Sequence, residues 1–96
     1  MPMTLSAFIA SLESTAPPQE LTAPLQALWW DGKGDWEQAH NIAQDIENSA
    51  GSWIHAYLHR KEGDRSNAAY WYARAGKSMP FNTLEEEWEH IAAALL

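Results

Sequence analysis

His55 and His59 are the residues of this 96-residue chain most suited by spacing to act together. An i, i+4 pair on a helix points both imidazoles one way, which is metal-ligand spacing. The residues between them are Ala56, Tyr57 and Leu58, so the glutamate of the zinc-protease pattern is absent. His40, on the preceding segment, is a candidate third ligand, and Glu37 or Glu62 could add a carboxylate. The competing reading packs the histidines between helices, bonded to backbone or carboxylates. Convergence of His40, His55 and His59 would then make a buried polar cluster rather than a catalyst. His90 is expected to face solvent.

Aromatic residues form the second group of interest. Trp29, Trp30, Asp31 and Trp36 could frame a ligand slot. The simpler expectation assigns Trp29 and Trp36 to the core and leaves Trp30 over a turn or exposed. Tyr70, Trp71 and Tyr72 are consecutive, about 100° apart on a helix, so they cannot share one face. Tyr72 and Trp71 are expected inside, and Tyr70 in a contact with another helix or in an exposed patch, where a homo-oligomer interface is a further expectation. No glycine-rich phosphate loop, nucleophile elbow or paired-carboxylate motif is evident, so no catalytic residue and no cofactor is expected.

Composition narrows the partners. The net charge of −7 argues against nucleic acid, which needs clustered Lys and Arg, and against docking on anionic lipid. It suits a basic partner. Without cysteine there is no disulfide or thiol chemistry. The N-terminal stretch lacks a basic region before its short apolar run, so no secretory signal is expected. No stretch approaches the roughly 20 apolar residues of a membrane span. A cytoplasmic location is the default. Six tryptophans let a chain of this size build a core without a staple.

The elements that must position these groups are read from periodicity. Leu5, Phe8, Ile9 and Leu12 form one stripe, capped by Thr4 and broken by Pro17-Pro18. Leu21, Leu25, Leu28 and Trp29 form the next, with Pro24 in the first turn of a helix from about Thr22 to Asp31. Asp35 opens a third helix with Gln38 completing a capping-box pattern, and Asn48-Ser49-Ala50-Gly51 is read as its end. A fourth helix is expected over 52–62, stopped by Gly63, and a fifth after Asp64, closed by Gly76. Thr83 and Glu86 make a capping box for the last. The expectation is all-α: six helices in antiparallel hairpins and no sheet.

Gly34-Asp35 recurs as Gly63-Asp64 at an offset of 29 residues, with Ala27 and Ala39 matched by Ala56 and Ala68. The glycine permits a tight reversal, the aspartate caps, and the alanines let helices approach. The pattern resembles tetratricopeptide repeats and, more loosely, Sel1-like repeats. Ala56, Gly63, Ala68, Tyr72, Ala75 and Pro80 fall at the family's small, turn, small, aromatic, small and terminal-proline positions. Asn67 to Gly76 is similar to the Sel1 alanine–tryptophan–tyrosine stretch. The first unit has Ala43 where an aromatic is usual, the period is shorter than the usual 34 or so, and His55 and His59 stand where the family has large core residues. The units span about 22–48 and 52–80 of one helical domain, between flanking helices at 4–14 and 83–96.

The resemblance implies a non-catalytic protein-interaction module binding an unidentified protein or peptide. It places Trp53, Tyr57, Arg60 and Lys61 on the concave side of a unit, where aromatics beside cations suit an acidic or C-terminal peptide. The competing reading packs Trp53 and Tyr57 on a neighbouring helix. The alternative function is a metal-binding protein or enzyme using His40, His55 and His59.

Overall fold

Two glycines reverse this chain in the same way. Gly34 and Gly63 adopt φ of 86° and 90°, a left-handed conformation open to glycine at little cost. The aspartate after each caps the next helix. Asp35 accepts the Gln38 amide at 3.0 Å, and Asp64 accepts the Asn67 amide at 3.3 Å. Their own amides reach back 2.9 Å to the carbonyls of Trp30 and His59. Each Gly-Asp pair thus stops one helix and starts another.

The computed structural model describes residues 3–96. Six α-helices lie among them: α1 (Leu5–Ala10), α2 (Ala23–Gly32), α3 (Trp36–Ala43), α4 (Ser49–Glu62), α5 (Arg65–Arg74) and α6 (Leu84–Leu95). A short 3-10 turn, Ser11–Glu13, comes after α1. The described residues contain no strand, and the protein is all-helical. No described helix is long and apolar enough to cross a membrane.

Helix α4 is the hub. It packs on α2, α3, α5 and α6, and its residues from Gly51 to His59 are all buried. Close approach needs small residues, and Ala27, Ala39, Ala56 and Ala68 are each fully buried where the hairpins α2–α3 and α4–α5 meet. Larger side chains fill the rest: Phe8, Leu28, Trp29, Ile54, Leu58, Tyr72 and Ile91. The Thr83–Glu86 box is closed in both directions at the start of α6.

The main departure from the sequence reading lies between α3 and α4. Asn48 to Gly51 is not the end of a helix but the beginning of one, with the Asn48 carboxamide accepting the Gly51 amide at 3.0 Å. Asparagine caps as readily as it breaks, and the tetrapeptide alone does not say which. Helix α3 stops at Ala43, and Ile46 lies in the loop that connects it to α4. That loop presses on α4 so closely that a Cβ on Gly51 would lie 2.5 Å from the Cβ and carbonyl oxygen of Ile46. The capping pattern at Asp35 is made on one side only, by its carboxylate. Ile9 is also off the core, 40% exposed, although it shares the stripe of Phe8.

Candidate metal centre

His40 comes from the last turn of α3, His55 and His59 from one face of α4, and the three rings meet where these helices pack. The Nε2 atoms of His40 and His55 are 3.0 Å apart. Ring centroids are separated by 4.7 Å for His40–His55, 5.2 Å for His40–His59 and 4.7 Å for His55–His59. One ring nitrogen from each lies within 4.8 Å of the other two. In a tetrahedral zinc site with bonds of about 2.05 Å, ligand nitrogens are about 3.3 Å apart. One edge of the triangle is therefore already short enough, and side-chain torsion of His59 could close the others.

Neighbouring groups fix the rings. The Trp36 indole, one helical turn before His40, stacks on it at 4.8 Å and 11°. Its Nε1 donates to the Leu58 carbonyl at 2.8 Å, tying α3 to α4. From the other side Trp71 of α5 stacks on His55 at 4.0 Å. The Glu62 carboxylate lies 2.6 Å from Nδ1 of His59, where it accepts that proton. Nε2 of His59 is in turn hydrogen-bonded to the Asn67 amide nitrogen at 3.4 Å. A carboxylate behind an imidazole is the usual way a ligand tautomer is set.

Burial favours the neutral imidazole at His55 and His40. Burial lowers the His55 pKa to about 4, with His40 and His59 adding like-charge repulsion. Burial also lowers that of His40, reinforced by His59 and opposed by Glu62. Neutral imidazole is the form that ligates metal. With His55 and His59 each only 6% exposed, these groups sit where both the metal reading and the buried polar-cluster reading expect them. Glu62 joins the cluster, whereas Glu37 is exposed and not among its groups. Nothing in the spacing of Trp71 and Asn67 marks them as partners of the histidines. They arrive from α5, and only the hairpin geometry brings them there.

Trp53, Tyr57, Arg60 and Lys61 do not form an open face. Trp53 is 6% exposed, covered by the Lys77 ammonium 4.1 Å above its ring and by the edge of His90. Tyr57 is 2% exposed and donates its hydroxyl to Asp31 at 3.0 Å. Arg60 donates to Glu87 at 2.7 Å and to the Asn82 carbonyl. Lys61 donates to Asp31 at 3.0 Å. The first helix of the second unit packs on α6 and α2 here, so these contacts would have to be broken for a peptide to lie along all four. Trp29 is fully buried, while Trp36 and Trp30 are partly so. Tyr70 is 55% exposed, and His90 faces solvent.

No family model matches the chain, and neither the curated proteins nor the solved structures contain a match to it.

Proposed function

We propose that this protein binds one divalent transition-metal ion through His40, His55 and His59. The observation that carries the reading is the convergence of three ring nitrogens within 4.8 Å, from two different helices, in a setting whose burial lowers the pKa of His55 and His40. Three nitrogen donors and no thiolate suit zinc, copper(II), nickel or cobalt rather than calcium or magnesium. Glu62 and Asn67 act behind His59, the first as acceptor of its Nδ1 proton, the second as a bond that the metal displaces. Three protein ligands leave a fourth position for water or a further ligand. The ion would join α3 to α4 and so link the two hairpins.

The test uses protein purified without a histidine tag. Zinc titrated into apo protein saturates at one ion per chain and raises the melting temperature, since a ligand at about 100 times its Kd adds about 2.7 kcal/mol of stability. His40→Ala, on the less buried ligand, weakens binding while the helical signal remains. The reading is overturned if zinc, copper, nickel and cobalt all fail to saturate the protein, or if His40→Ala binds as tightly as the parent.

A repeat-like arrangement of the tetratricopeptide kind remains a second reading of the architecture, supported by the matching Gly-Asp reversals. An interaction role would then use surfaces other than the four-residue face, because those side chains already have partners within the chain. Pull-down by the parent but not by a Tyr70→Ser variant would favour it, and equal recovery would remove Tyr70 from it.

A further inference from the structure

A second site lies on the opposite side of α4. Helices α1, α2, α4 and α6 enclose an open cleft of about 540 Å³, within the roughly 300–1,000 Å³ of small-ligand sites. Its walls are apolar: Ile9, Leu12, Leu84 and Trp88. The exposure of Ile9, odd for a residue on a core stripe, is explained by its place in this wall. Gly32 lets Leu12 and Trp88 pack closely against α2 at one end of the cleft, where a Cβ would come within 3.0 Å of both.

The charges divide into floor and rim. At the floor, Asp31 is 3% exposed and fully engaged, with Tyr57 on one carboxylate oxygen and Lys61 on the other. Lys61, the cation among the described residues that line the cleft, is thus already paired. At the rim stand Glu85 and Glu89, one helical turn apart on α6 and both exposed. Neither belongs to an ion pair among the described residues. The cleft therefore combines an apolar interior with an uncompensated negative mouth, on a chain whose net charge is −7.

We infer that this cleft binds a small organic cation: an ammonium attached to an aromatic or alkyl body. The body occupies the space between Leu12, Leu84 and Trp88, and the ammonium stays at the mouth between Glu85 and Glu89. An anion of the same shape would meet both carboxylates and gain nothing from Lys61, which Asp31 holds. The sequence pattern around Tyr57 and Lys61 suits an acidic partner. The pairing of Lys61 with Asp31 reverses that sign.

The experiment compares three probes of one shape, phenethylammonium, phenethyl alcohol and hydrocinnamate, monitored by chemical shifts of the Trp88 indole. Phenethylammonium shifts the signal saturably, with Kd in the millimolar range or tighter, and the other two bind at least about tenfold more weakly. The double variant Glu85→Gln, Glu89→Gln, which alters only exposed side chains, loses that preference. Lys61→Gln, which removes the nearby positive charge, tightens binding of the cation. The inference is overturned if hydrocinnamate binds as well as phenethylammonium, if none of the probes saturates, or if the double variant keeps the preference. Self-association of the chain that shields Trp88 from every probe also overturns it, since the face would then belong to a second copy. None of these readouts depends on metal at the histidines.

Discussion

Nε2 of His40 and Nε2 of His55 face each other at 3.0 Å, so in the metal-free protein one must carry a proton and the other a lone pair. A doubly protonated pair would set two donors against each other in a buried site. This relationship adds to the burial that disfavours charge on His40 and His55, and it has a consequence for stability.

Acid should weaken the fold through His55. In the unfolded chain this group titrates near its ordinary 6.5, and in the folded chain near 4. Between those values the unfolded chain holds more protons, so stability falls as pH drops from about 6.5 towards about 4 and is complete above that window. Replacing the ring by a neutral one, His55→Phe, removes this part of the slope. Urea midpoints at about pH 7 and about pH 5 measure it in both proteins. An equal fall in both would show that His55 contributes nothing to the acid response.

Gly51→Ala should destabilise the protein by about 1–3 kcal/mol, the usual range for overpacking. The added carbon meets Ile46 backbone as well as side chain, so rotamer changes alone cannot relieve the clash. Alanine is otherwise the better helix former, which makes the sign of the change diagnostic. A variant as stable as the parent in urea would contradict the close approach of this loop.

Glu87 is 2% exposed and accepts both Arg60 and the Tyr72 hydroxyl, the latter at 2.6 and 2.7 Å. Burial and the adjacent carboxylate hold the Tyr72 phenol well above its ordinary pKa, so it stays a donor. Glu87→Ala leaves a half-buried guanidinium with only the Asn82 carbonyl. The cost should approach the lower end of about 3–5 kcal/mol for breaking a buried pair. Thermal or urea unfolding gives the value, and a loss under about 1 kcal/mol would place this pair with exposed ones.

The two Gly-Asp turns predict a matched pair of effects. Asp35→Ala and Asp64→Ala should each cost about 1 kcal/mol, the typical loss on removing an N-cap. Chemical denaturation of both variants gives the comparison. Unequal losses, with one near zero, would mean that the two reversals are alike in shape but not in energetics.

The helices are legible in the sequence where local signals agree. Thr83 with Glu86, Asp64 after Gly63, and Pro24 in a first turn each point to one structure, and the chain adopts it. The stretch Asn48–Gly51 misleads because asparagine and glycine serve at both ends of helices, and the deciding contact with Ile46 is tertiary. The i, i+4 histidines are visible in the spacing. The approach of His40, and of Trp71 and Asn67 from α5, depends on how hairpins pack. The pairing of Arg60 and Lys61 is hidden for the same reason: Glu87 and Asp31 are 27 and 30 residues away in sequence.

The two indoles against the imidazoles make the histidine cluster optically self-reporting. Trp36 and Trp71 lie 4.8 and 4.0 Å from rings of the cluster, well inside the range over which an excited indole loses energy to a protonated imidazole or a paramagnetic ion. Events at the histidines will therefore register in the intrinsic emission of this protein without any label. The four other tryptophans lie outside the cluster and add their own emission to that signal.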